Sequence, residues 1–160
     1  MTAMPSGDRQ FPQIQARSLE REHYDLPGEF EGRRNVAVVA FRCEQQQTVD
    51  TWLPFLLTLE AEHDDLRVYE IPTISQRWAP ARWFIDGGMA MGIADREACA
   101  RTLTSYTDVG RVQQALGLRD DATIATVLTG RDGRITWMAT GPFTERVGEN
   151  LRAALATEPR

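Results

Sequence analysis

The chain has 160 residues, 42% of them hydrophobic, with a formal net charge of −5, enough for one domain that buries roughly 70% of its unfolded surface without staples. All 18 basic residues are arginines, the densest pair being Arg33-Arg34 ahead of an apolar run, so no basic stripe of the nucleic-acid-binding type is present. Cys43 and Cys99 form no CxxC, His23 and His63 are the only histidines, and no run approaches the ~20 apolar residues of a spanning helix, which argues against a disulfide framework, a metal centre or a transmembrane segment.

Residues 1–10 contain Pro5, Ser6 and Gly7 and little that can pack, so they are read as a flexible tail, with the domain spanning 11–157. The start is polar and lacks the apolar core of a secretory signal. The expected location is therefore cytoplasmic, with contact at the periphery of the inner membrane left open. Residues 13–16 and 22–26 alternate polar with apolar and read as two short edge strands, the second ended by Pro27-Gly28. Gly32 prepares the turn into residues 35–41, a near-continuous β-branched run that reads as a strand buried on both faces.

After Phe41 comes a polar elbow, Arg42-Cys43-Glu44-Gln45-Gln46-Gln47. Val49, Trp52, Leu53, Leu56 and Leu59 then recur at helical spacing, with Pro54 expected to kink the helix. Residues 66–71 form a second strand, parallel to the first because a helix separates them and ended by Pro72. Residues 77–93 hold Trp78, Trp83, Phe84, Ile85, Met89, Met91 and Ile93 around Gly87-Gly88, and 95–101 have helical propensity. Residues 103–106 read as a third parallel strand, with Thr107-Asp108 capping a helix over 109–116 that stops at Gly117. A hairpin follows, 122–129 and 134–140 about Asp132-Gly133. After Gly141-Pro142, the stripe Phe143, Val147, Leu151 and Leu155 marks a closing helix.

This order resembles the redoxin and peroxiredoxin branch of the thioredoxin superfamily, on Phe11-Pro12, Leu26-Pro27 before Gly32, the strand ending at Phe41, Pro54, Tyr106-Thr107-Asp108 and the Asp132-Gly133 hairpin. The fold it implies is α/β, a three-layer α/β/α sandwich with a mixed central sheet and peroxiredoxin-like N-terminal edge strands. Within that superfamily the chain is similar to the mitochondrial ATP synthase assembly factor family and its bacterial relatives. The similarity rests on Val39-Ala40-Phe41 with Gln45-Gln46 and residues 49–52, on residues 83–89 with Gly92-Ile93, and on Tyr106-Thr107-Asp108. It implies a protein client, such as a membrane-complex subunit, and no cofactor.

Redox chemistry on this fold needs CxxC in the first turn of the helix after the strand, where helix N–H groups stabilise the thiolate. Alignment on Phe41 and Pro54 places Gln46 and Val49 at those two positions. A peroxidatic cysteine would stand near Val49, and none does. The position of the redox cis-proline falls near Ala125, again without proline. Cys43, at the mouth of the elbow between Arg42 and Glu44, reads first as a small apolar residue closing a strand and is, as the alternative, the one candidate nucleophile for a thiol peroxidase or oxidoreductase. Glu44 and Asp50 suggest a carboxylate pair, but no third partner accompanies them.

Trp and Met give much contact area and adapt to varied shapes. The candidate partner-binding surface is therefore Gln45, Gln46, Trp52, Trp83, Asp86, Gly87, Gly88 and Met89. The bland alternative has the aromatic segment packing on the sheet, with Asp86-Gly87-Gly88 as a tight turn.

Overall fold

In the computed structural model, which describes residues 9–20, 22–75, 101–120 and 122–157, the run of apolar residues after Arg34 forms the middle of the sheet. Every residue of this strand, β3 (Arg34–Ala40), is buried, which only a strand covered on both faces can be. β3 pairs in parallel with β4 (Leu66–Ser75) and antiparallel with β6 (Ala125–Thr129). β6 continues through the hairpin into β7 (Ile135–Thr140). On the other side β5 (Leu103–Thr107) runs parallel to β4, and the N-terminal hairpin β1 (Ile14–Ser18) and β2 (His23–Leu26) completes a seven-stranded mixed sheet. Its order is β2-β1-β5-β4-β3-β6-β7.

Side-chain alternation splits the core in two. Val36, Val38, Ala40 and Val68 face α1 (Gln46–Glu62) and α3 (Glu145–Thr157), meeting Val49, Trp52, Leu56 and Leu59 from one helix and Val147, Leu151 and Leu155 from the other. Ala37, Val39, Tyr69 and Ile71 face the opposite layer, where α2 (Val109–Ala115), Phe11 and Phe30 cover the sheet. The result is the α/β/α sandwich with a mixed sheet expected from the sequence. Both helical stripes and the Asp108 cap, whose carboxylate accepts from Arg111 N at 3.3 Å, are where the periodicity put them. Gly133 takes φ of +86° in the hairpin turn, a conformation that costs a residue with a side chain about 1 kcal/mol or more.

Two details differ from the sequence reading. Pro72 does not end its strand, for β4 continues to Ser75. β3 stops at Ala40 opposite Pro72, and the ladder to β5, bridged at Glu70–Thr102, resumes only at Thr73. The residue without an N–H thus sits where neither neighbour takes a bond from it. Within the stretch read as a tail, Gln10 makes a bridge to Arg134 and the Arg9 carbonyl accepts from Ile135 N at 3.2 Å.

At the amino end of β3, Arg34 fastens three elements. Its guanidinium grips Asp65 through Nε at 2.8 Å and Nη2 at 3.1 Å, and Nη1 donates to the Leu155 carbonyl at 2.8 Å near the end of α3. The Arg34 hydrogen bond holds the Asp65 carboxyl below the usual carboxylate range, partly offset by burial. A depressed carboxylate stabilises the fold above its unfolded titration range and ceases to do so as pH falls through the folded value. Asp65→Asn is therefore expected to cost about 1.5–3 kcal/mol at neutral pH in denaturant unfolding. The gap from wild type should close below the normal aspartate range, and a gap that stayed constant into acid would contradict this role.

Candidate functional site at the carboxyl end of the sheet

The parallel strands β3 and β4 point their carboxyl ends at the elbow, where ligands of open α/β sheets gather. The turn from β3 into α1 is a 3-10 turn, Cys43–Gln45, that runs directly into the helix. Gln45 is buried, and its Oε1 accepts from Phe41 N at 2.8 Å and Arg42 N at 3.1 Å. These amides leave the sheet with no strand partner, and the side chain supplies one. Arg42 and Glu44, both largely exposed, approach each other at 3.8 Å, so the charges flanking Cys43 offset one another.

Gln46 is the first residue of α1. Its Nε2 donates to Asp50 Oδ1 at 3.0 Å, one turn on, and to Glu70 Oε1 at 3.1 Å on β4. Glu70 is only 3% exposed. It lies on the α1 face, since Leu66 and Val68 share that face while Tyr69 and Ile71 lie on the other. Burial pushes its carboxyl above the usual carboxylate range. The Gln46 amide opposes that shift, the Asp50 charge adds to it, and Arg101 opposes it. Arg101 stands just before β5, with Nη1 3.1 Å from both Glu60 Oε2 and the Val68 carbonyl. In the same row across the sheet, Val38 is paired with Glu70 on one side and Thr126 on the other. Thr126 Oγ1 is buried with no hydrogen-bond partner among the described residues.

The site therefore differs from the surface expected from sequence. Trp52 presents no surface: it is fully buried, donates Nε1 to the Gly141 carbonyl at 2.9 Å, and packs edge-on against Trp137 and Phe143. An indole at helical spacing on the sheet side of α1 stabilises by burial, roughly 5 kcal/mol for about 200 Å². Gln45 likewise spends its amide oxygen on the backbone. Gln46 is partly exposed at the elbow, Cys43 opens the 3-10 turn, and Val49 is buried beneath. Trp83, Asp86, Gly87, Gly88 and Met89 lie outside the described residues, as does Cys99. Glu70 was missed; the available signal was a lone carboxylate inside an apolar strand with covered neighbours on both sides. No group of three His, Cys, Asp or Glu able to hold a metal occurs among the described residues, and no helix among them is long and apolar enough to cross a membrane.

No protein-family model and no curated protein matches the chain, but solved structures do. BsSco, a member of the Sco family of cytochrome c oxidase assembly proteins, is similar at 11% identity and a TM-score of 0.58, covering 95% of this chain and 96% of that one. A proposed electron transfer protein from Aquifex aeolicus VF5 matches at 13% identity and a TM-score of 0.64, over 93% and 94% of the two chains. The thioredoxin domain of a thiol-disulfide oxidoreductase from Bacteroides vulgatus matches at 14% identity and a TM-score of 0.56, over 90% and 94%. At these identities the likeness concerns the fold, which is thioredoxin-like.

Two stability measurements probe the elbow. Gln45→Ala leaves the Phe41 and Arg42 amides without their acceptor and is expected to cost about 1–3 kcal/mol in denaturant unfolding; a neutral effect would mean the cap is dispensable. A raised carboxyl favours folding below the unfolded glutamate range and loses that contribution as pH rises through the folded value. Glu70→Gln is accordingly expected to gain stability relative to wild type as pH increases across that window. A difference that did not vary with pH would show that Glu70 titrates normally.

Proposed function

We propose that the protein works by binding a polypeptide at the carboxyl end of its sheet, as a non-redox assembly factor or chaperone for a membrane protein complex at the inner membrane's cytoplasmic face. The observation that carries this reading is the first turn of α1. There alignment on Phe41 and Pro54 puts Gln46 and Val49 at the two positions of a redox CxxC, and the Gln46 amide is committed to Asp50 and Glu70. Neither side chain can form or exchange a disulfide. The resemblance to the ATP synthase assembly factor family, and a structural neighbour whose own family is described as one of cytochrome c oxidase assembly proteins, support the same direction. Gln46 with Trp83, Asp86, Gly87, Gly88 and Met89 would form the contact surface, while Gln45 and Trp52 hold the elbow beneath it. An amide and aromatic surface suits a polypeptide, offering hydrogen bonds and adaptable apolar area.

The competing reading, a thiol peroxidase or oxidoreductase acting through Cys43, separates cleanly. Peroxide consumption and disulfide exchange by wild type are expected to equal those of Cys43→Ser. Client recovered with wild type from its native cell is expected to fall at least tenfold with Gln46→Ala or Trp83→Ala when circular dichroism and melting are unchanged, corresponding to about 1.4 kcal/mol. Turnover that depends on Cys43, or full client retention by both variants, would sink the binding reading.

A further inference from the structure

Toward the β1–β2 end of the sheet lies a cleft of about 690 Å³ that shares no residue with the elbow. Its floor is apolar. Ile14 and Leu26, paired across β1 and β2, belong to the core on the α2 side of the sheet, and the buried Pro27 adjoins them.

Two exposed arginines line this cleft from separate elements, Arg111 on α2 and Arg131 in the turn between β6 and β7. Backbone oxygens hold both. Arg111 Nη2 donates to the Gln13 carbonyl at 2.8 Å, while Arg131 donates through Nε to the Phe30 carbonyl at 2.8 Å and through Nη2 to that of Glu31. The turn that carries Arg131 is itself fixed. Gly133 N donates to the Gly130 carbonyl at 3.0 Å, Phe11 N donates to the Gly133 carbonyl at 2.7 Å, and a Cβ on Gly133 would meet Pro27 Cγ at 3.0 Å.

Neither guanidinium has an ion-pair partner among the described residues, although Asp25 and Asp132 line the same cleft. Asp132 Oδ1 accepts from Arg134 N at 3.0 Å within its own turn. Asp25, in register with Gln15, stands on the opposite face of the hairpin from Leu26. A guanidinium anchored on one or two carbonyls keeps further N–H donors in a fixed fork that matches a carboxylate. The cleft thus sets two positioned cations beside an apolar floor, within the size range of a small-molecule site.

The balance of charge indicates which anion fits. Two aspartates offset the two arginines, so a multiply charged anion gains little. A single carboxylate can pair with an arginine fork while its apolar body covers Ile14, Leu26 and Pro27. We propose that this cleft binds a monocarboxylate with an apolar body, its carboxylate paired to Arg111 and Arg131. That chemistry has two sources, a free organic acid and the carboxyl terminus of a polypeptide. The site is separate from the elbow, and its existence does not depend on the binding role given to the elbow.

The test follows amide chemical shifts of the full chain by NMR during titration with hexanoate, with acetyl-Leu-Leu, with the same dipeptide amidated at its carboxyl end, and with inorganic phosphate. The expected result is saturable shifts at Gln13, Arg111 and Arg131 with at least one of the two acids, at a Kd of about 1 mM or tighter. Arg111→Gln and Arg131→Gln are each expected to weaken that binding at least tenfold. Whichever acid binds more tightly names the source, and either result supports the site. Amidated dipeptide binding as tightly as the free acid, phosphate binding more tightly than both acids, or unchanged affinity in either arginine variant would overturn the proposal. So would the absence of a saturable shift at the cleft with both acids at about 10 mM. Should an arginine variant fail to fold, the free and amidated dipeptides decide the matter on the wild-type chain.

Discussion

The structure depends on a strand that must be dry on both sides. β3 gives up every residue to the interior, and each face then demands a layer: α1 and α3 on one, α2 and the Phe11–Phe30 segment on the other. Parallel pairing with β4 forces the chain to cross over between the two strands, and the crossover is α1. Arg34 closes the bottom of this arrangement by holding the α1–β4 turn and the end of α3 together. The top is the elbow. Its position follows from the burial of β3, whatever chemistry the elbow carries.

What fills the elbow follows from its backbone. A strand that ends and turns at once into a helix leaves amides pointing at nothing, and here the Gln45 side chain takes two of them. In redox members of this fold the next residues would be cysteines poised at the helix end. Here the first turn of α1 carries the Gln46 amide and the buried Val49, and the turn before it carries Arg42, Cys43 and Glu44. Glu70 changes the character of the place most. A carboxyl in a central strand is costly to charge, and among the described residues its side chain bonds to Gln46 at the start of α1.

The elements themselves were legible because each rests on a local pattern: the buried run of β3, the 3.6-residue stripe of α1, the Asp108 cap and the Asp-Gly hairpin. Pro72 was misjudged since a proline normally stops a strand, and only the tertiary pairing reveals that β3 has already ended opposite it and that the β5 ladder skips it. Trp52 and Gln45 were misassigned for a related reason. A tryptophan or glutamine in a binding surface and one supporting it have the same spacing, and what decides is whether a partner such as the Gly141 carbonyl or the Phe41 amide lies within reach across the fold. The charged residue inside β4 was readable but unused, because strand patterning attends to apolar positions.

The first turn of α1 carries no acidic residue, and the first on the helix is Asp50. A carboxylate at a helix amino end is normally stabilised by the helix dipole. At this elbow the sheet already supplies a carboxyl directly beneath the turn, and another in Gln46's place would meet it with no amide between them. An amide that can face two acceptors at once is the residue that lets a buried carboxyl and a surface aspartate coexist at one helix start. Glutamine at this position therefore leaves more than an inert surface, since its amide ties the start of α1 to the carboxyl on the strand below it.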